Sequence, residues 1–197
     1  VGVVLYGGGM AVKRRPRGYL GTNHETIGSD LLAVLGVVTM PRQTLGPALH
    51  ERLKQVRPDG WYPIELMHEL LSALHERVGT NGLRQMGRKL FVASHEAHVK
   101  TVAHSAWDIL SGFDGIYRRA NRGGDIGGWK MLEFSPGRAR LEKTTPHHCM
   151  LEEGIVTAAL ASMGVPATVS QESCFLQGAE ACVFVVTSVV TDARWKP

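Results

Sequence analysis

The chain has 197 residues, 44% hydrophobic and 20% charged, with 23 Gly and 9 Pro, which suits one globular core and excludes a disordered, collagen-like or membrane-embedded chain. Its formal charge of +4 and pI near 9.1 rest on Lys13, Arg14, Arg15 and Arg17; without these four the balance is 4 − 4 = 0, so a basic arm on a neutral body argues against a nucleic-acid surface. Three cysteines, no secretion signal and no apolar run of membrane-spanning length argue against a disulfide framework and for a cytoplasmic setting with reduced thiols.

Residues 1–20 read as an N-terminal arm or tag, with Gly7-Gly8-Gly9 before Met10 as a natural start, and 21–197 as a single domain. Helices are expected over Glu25–Val38, Leu45–Val56, Ile64–Val78, Leu83–His98 and Thr101–Ser111, broken at Pro41, Pro58-Asp59-Gly60 and Gly79-Thr80-Asn81-Gly82. The clearest places Ile64, Met67, Leu71, Leu74 and Val78 on one core stripe, with Leu70 beside it and His68 off it. Past Gly127-Gly128 the period changes. Trp129–Ser135 and Arg138–Thr145 form a hairpin about Pro136-Gly137, the second strand alternating Ala139 and Leu141 with Arg138, Arg140 and Glu142. A helix follows over Cys149–Met163, stopped by Gly164, and then a second hairpin, Val165–Cys174 and Cys182–Val190, about Gly178. The expected fold is α+β: N-terminal helices, then a β-β-α-β-β unit with an antiparallel sheet.

A hairpin symmetric about Gly178 sets Cys174 opposite Cys182, with Glu172 on the same face of a regular strand. Cys149 opens the preceding helix, where the helix dipole favours a thiolate. Cys149, Glu172, Cys174 and Cys182 are thus a candidate tetrahedral zinc set, against the alternative that the thiols are core packing.

Cys149-x4-Gly154, an Ala-rich helix, then Cys174-x3-Gly178-x3-Cys182-x-Phe184 resembles the end of 4-vinyl-reductase-type domains. The layout covers about Trp61 to Val190, with specific residues from Trp129 onward. That family resembles the ligand-sensing domains of phenol-responsive activators and shares its fold with TRAPP subunits and haem-nitric-oxide-binding sensors. The resemblance implies a pocket for an apolar or aromatic small molecule, usually in a homodimer. In members that hold zinc it implies three cysteines and an acid three residues before the second of them. Gln171 stands at that position here, so either Glu172 takes over through a bulge or the thiols are packing residues.

Trp107, Phe113, Tyr117, Trp129, Met131 and Phe134 surround the junction of helices and first hairpin and are the candidate pocket residues. His95, His98 and His104 read as a solvated helix face, and His147-His148 after Pro146 as surface; the proximal-histidine and Tyr-Ser-Arg pattern of haem sensors is not carried over. Arg118, Arg119 and Arg122 form a local basic spot for an anion or a solvated helix end. No nucleophile has a neighbouring base. The leading expectation is a non-catalytic sensor that signals to a protein partner. A TRAPP-like assembly subunit comes second and a zinc- or haem-dependent sensor third.

Overall fold

A computed structural model of the chain describes residues 23–196, with the side chain of Leu176 left aside. The basic cluster and the arm expected over 1–20 lie outside the described residues. The architecture is α+β. In chain order the elements are β1 (Glu25–Ile27), α1 (Gly28–Leu35), α2 (Pro41–Leu45), α3 (Pro47–Lys54), β2 (Trp61–Pro63), α4 (Ile64–Leu90), a π-helical turn (Phe91–His95), α5 (Glu96–Val102), α6 (Ala106–Ser111), α7 (Phe113–Ala120), β3 (Asn121–Arg122), β4 (Trp129–Ser135), β5 (Arg138–Lys143), α8 (Cys149–Ser162), β6 (Thr168–Ser173) and β7 (Cys182–Thr187).

The helical half departs from expectation at its breaks. Glu25–Ile27 is a strand, paired antiparallel with β2 and β3 in a small sheet of order β2-β1-β3, because pairing with distant strands outweighs a local helical preference. Gly46, at φ +79°, with Pro47 after it, starts the expected Leu45–Val56 helix at Pro47 and separates it from α2, a short helix that Pro41 opens. By contrast, the break expected at Gly79–Gly82 is present: Gly79, at φ +63° and ψ −168°, is non-helical and divides α4 into two helical segments. The expected Thr101–Ser111 helix is interrupted after Val102 and resumes as α6, which Ser105 caps by accepting from the Asp108 N–H at 3.2 Å and which ends at Ser111 as expected. On α4, Ile64, Met67, Leu70, Leu71 and Leu74 are buried as expected, but beyond them Val78 is 42% exposed and His68 is buried.

The larger sheet has the order β4-β5-β7-β6, all antiparallel, with α8 crossing over between its two hairpins. Ser173 pairs with Val183, as symmetry about Gly178 requires, but a bulge at Glu172 shifts the pairs beyond it, so that Gln171 faces Phe184. Helix α8 lies between this sheet and α4. Its buried Leu151, Ile155 and Ala159 join the α4 stripe and the inner sheet residues Ala139, Leu141, Phe184 and Val186 in one core. Among the described residues no helix is long and apolar enough to cross a membrane.

Candidate functional site

Where α1, α4, α7, β4 and the start of α8 converge, they enclose a cavity of about 30 Å3. Asp30, Met67, Leu90, His95, Phe113, Ile116, Tyr117, Ala120, Asn121, Trp129, His147, Leu151, Glu152 and Ile155 line it. Helix α7 presents Phe113, Ile116, Tyr117 and Ala120 at helical spacing, and Asp114 Oδ1 accepts the Trp129 backbone N–H at 2.8 Å, fixing β4 beside it. The volume holds about two water-sized groups.

The wall is polar in an ordered way. Asn121 Nδ2 donates to the Tyr117 carbonyl at 3.1 Å, leaving its Oδ1 to accept from His147 Nε2 at 3.0 Å and His24 Nε2 at 3.1 Å. Burial holds the His147 imidazole well below its ordinary pKa, with His68, His24 and Lys143 adding to the effect, so it is neutral. The Tyr117 hydroxyl donates to the Ile126 carbonyl at 2.6 Å, and burial, reinforced by Glu152, pushes it up. Burial also raises Glu152 to about 7, against the pull of Lys143 and of Thr145, whose hydroxyl donates to it at 3.1 Å. Asp30 Oδ2 faces His95 Nε2 at 3.4 Å. Three of the lining side chains carry a buried polar atom without a hydrogen-bond partner: Asp30 Oδ1, Trp129 Nε1 and His147 Nδ1. Buried polar atoms are rarely left so.

Beside the cavity lies the thiol cluster. The sulfurs of Cys149, Cys174 and Cys182 lie within 4.8 Å of one another, Cys149 and Cys182 at 3.4 Å. Lys143 pairs with Cys182 across β5 and β7, and its buried Nζ donates to the His147 carbonyl at 2.6 Å and to Cys149 Sγ at 3.6 Å. Hydrogen bonds from Cys174 and Cys182 hold the Cys149 thiol far below the ordinary range, with Lys143 and the Gln171 side chain adding to them. Burial alone would lower the Lys143 pKa; Cys149, Cys182 and Glu152 together outweigh it and keep the ammonium charged.

The structure therefore brings together three of the four expected zinc ligands. Glu172 does not join them: the bulge turns it to the exposed face, where it pairs with Arg140 at 2.6 Å. With an amide at position 171 and the Lys143 ammonium against Cys149, three thiols and no carboxylate remain of the expected set.

Of the expected pocket residues, Phe113, Tyr117 and Trp129 line the cavity. Trp107, Met131 and Phe134 do not; Trp107 packs on Phe134 and Phe134 on Trp195, at centroid distances of 5.0 and 5.4 Å, and Met131 and Phe134 are partly buried against the core. His147 and His148, expected at the surface, are buried, and His95 is in the cavity wall. The basic spot is taken up by ion pairs of Arg118 with Asp114 and Arg122 with Glu25. Asp30, Asn121, Lys143 and Glu152 were missed. Lys143 was findable, since it continues the inward alternation of Ala139 and Leu141.

No protein-family model matches the chain and no curated protein matches it. Among solved structures it is similar to an H-NOX protein from Shewanella oneidensis in the Fe(II) state: 14% identity, TM-score 0.63, 86% of this chain and 99% of that one. The same protein in the Fe(II)NO state gives 15%, 0.60, 82% and 98%. Unliganded Fe(II) H-NOX from K. algicida gives 11%, 0.63, 82% and 96%. Identities this low establish the fold. Of the folds that the resemblance groups together, these structures are of the haem-nitric-oxide-binding kind, and the 4-vinyl-reductase and TRAPP likenesses are not shown.

As packed in this structure, the chamber leaves no room for a haem. Ligand pockets of that order measure about 300–1,000 Å3, against about 30 Å3 here. Haem carries anionic propionates, whereas the described lining includes the carboxyl groups of Asp30 and Glu152 and no lysine or arginine. The Tyr117 hydroxyl, raised in pKa and bonded to a carbonyl, is not placed as a phenolate ligand.

Proposed function

We propose that this domain is a non-catalytic small-molecule sensor built on the haem-sensor fold, with the polar cavity as its ligand chamber in place of a haem pocket. The observation that carries the reading is the convergence on one cavity of three side chains with unpartnered buried atoms: Asp30 Oδ1, Trp129 Nε1 and His147 Nδ1. A carboxyl oxygen and an imidazole nitrogen accept, and an indole N–H donates, so the complementary ligand offers both donors and an acceptor. It is a polar molecule of a few non-hydrogen atoms, neutral or cationic because Asp30 and Glu152 are in the wall. The apolar or aromatic ligand expected from the sequence is too large for this space. At about 1.5 kcal/mol per atom, a ligand of two or three atoms gains no more than about 3–4.5 kcal/mol, a Kd of about half a millimolar at best. Its effect is a population shift: filling the chamber favours one packing of α7 and α8 on the sheet, which a protein partner reads.

The test is a titration of the purified protein with formamide, urea and ammonium chloride in turn, following the Trp129 indole N–H by NMR. Saturable movement with one probe, lost in His147→Phe, is the expected result. Flat titrations with all three would reduce the chamber to a hydration site. A stoichiometric Soret band in the purified protein, or on adding haemin, would replace this reading with the haem-dependent one.

A further inference from the structure

The thiol cluster has a geometry that packing alone does not require. Cys149 sits in the first turn of α8, where the helix dipole favours negative charge. Lys143 reaches its sulfur from β5, and Cys182, the strand partner of Lys143, places a second sulfur 3.4 Å away. An ammonium, a helix N-terminus and a neighbouring thiol together define a stabilised thiolate beside a resolving thiol. We propose that Cys149 and Cys182 form a peroxide-reactive dithiol pair, with Lys143 as the positioning residue and Cys174 as a hydrogen-bonding support.

The reaction balances with a hydroperoxide as the named oxidant. The Cys149 thiolate attacks the O–O bond; with hydrogen peroxide this gives Cys149 sulfenic acid and releases hydroxide. The Cys182 sulfur then attacks the Cys149 sulfur, the S–OH bond breaks, and hydroxyl and the Cys182 proton leave as water. In sum one thiolate, one thiol and one peroxide give a disulfide, a water and a hydroxide, with two electrons passing from sulfur to oxygen. The low exposure of Cys149 (5%) and Cys182 (3%) selects a small oxidant and excludes bulky disulfides such as oxidised glutathione.

Oxidation also changes the electrostatics next door. It removes the negative charge that Lys143 faces, leaving the ammonium to Glu152 and to the His147 carbonyl, both groups of the chamber wall. That coupling rests on the chamber reading. The dithiol chemistry does not.

The experiment treats reduced, full-length protein with hydrogen peroxide, then maps cysteines by alkylation and peptide mass spectrometry, with native mass spectrometry of the untreated sample. Expected are a metal-free native mass, a Cys149–Cys182 cross-linked peptide, and a dimedone adduct on Cys149 in Cys182→Ser. Lys143→Met should slow alkylation of Cys149 at neutral pH about tenfold and move its pH midpoint upward. If that variant does not fold, the dimedone site in Cys182→Ser and the cross-link in unmodified protein decide by themselves. Stoichiometric zinc in the native mass, labelling that falls first on Cys174, or no cross-link at all would overturn the proposal. None of these readings depends on whether the chamber binds a ligand.

Discussion

The hydrogen bond from His147 Nε2 to Asn121 Oδ1, 3.0 Å long, fixes the tautomer of a buried imidazole. Asn121 spends its amide N–H on the Tyr117 carbonyl, so its oxygen accepts and His147 must donate through Nε2. His147 Nδ1 is then a lone pair in the chamber wall.

Nitrogen NMR of the histidines should accordingly show His147 as the neutral Nε2–H tautomer with no titration near pH 6. An Nδ1–H tautomer, or protonation in the physiological range, would remove the acceptor from the chamber. The same burial sets acid stability. His68 is lowered to about 3 and His148 to about 4, burial being the first cause in each. Their folded pKa values lie below the unfolded ones, so the stability is present above pH 6.5 and is lost as pH falls toward the folded values. Each costs about 2 kcal/mol between pH 6.5 and 5. Urea denaturation should show the loss, and His68→Gln should flatten part of it.

Glu152 acts with the opposite sign. Its folded pKa of about 7 lies above the ordinary 4.5 because burial disfavours the carboxylate. The contribution is therefore complete below pH 4.5 and lost as pH rises through 7, by about 3 kcal/mol. Glu152→Gln keeps an oxygen to accept from Thr145 and has no charge to bury. It should stabilise the protein by about that amount at pH 8 and change little at pH 4, in denaturation curves at the two pH values. A variant equally shifted at both would mean that Glu152 is ionised throughout.

Much of this arrangement was legible in the sequence, unevenly. The hairpins, α8 and the convergence of the three thiols follow from alternation, Gly137 and the spacing about Gly178, all local signals. The bulge that turns Glu172 outward is a register event with no local marker. The chamber was harder still, because Asp30, Asn121 and Glu152 belong to separate elements and gain their chemistry only from burial together. His68 and His147 illustrate the same limit: polar residues read as surface until a neighbour covers them.

Glu172 provides a direct check on that register. It lies on the exposed face with Arg140, which also pairs with Glu133. Glu172→Ala should leave the pH profile of Cys149 alkylation unchanged. A shifted profile would mean that the carboxylate reaches the thiols and that the bulge is elsewhere.

Gly87 of α4 and Gly154 of α8 hold the two helices at backbone contact, and the sites are reciprocal. A Cβ on Gly87 would overlap the Leu151 carbonyl, and one on Gly154 would overlap the Arg84 carbonyl. In both cases the obstacle is backbone in a regular helix, which cannot rotate away, so the helices must separate. Separation would also disturb the Arg84–Glu153 ion pair at 2.6 Å. More important for function, α8 carries Cys149 and Glu152 on its first turn, so its position against α4 sets the spacing of both thiol cluster and chamber. Gly87→Ala and Gly154→Ala are each expected to cost about 1–3 kcal/mol in thermal or urea denaturation, although alanine is the better helix former by about 1 kcal/mol. The two losses should be less than additive, because the separation forced by the first substitution relieves the second. Gly115, whose Cβ would meet nothing, is the control: Gly115→Ala should be neutral or stabilising. Equal tolerance at all three positions would place α8 further from α4 than the described packing and with it loosen the geometry assigned to Cys149 and Glu152.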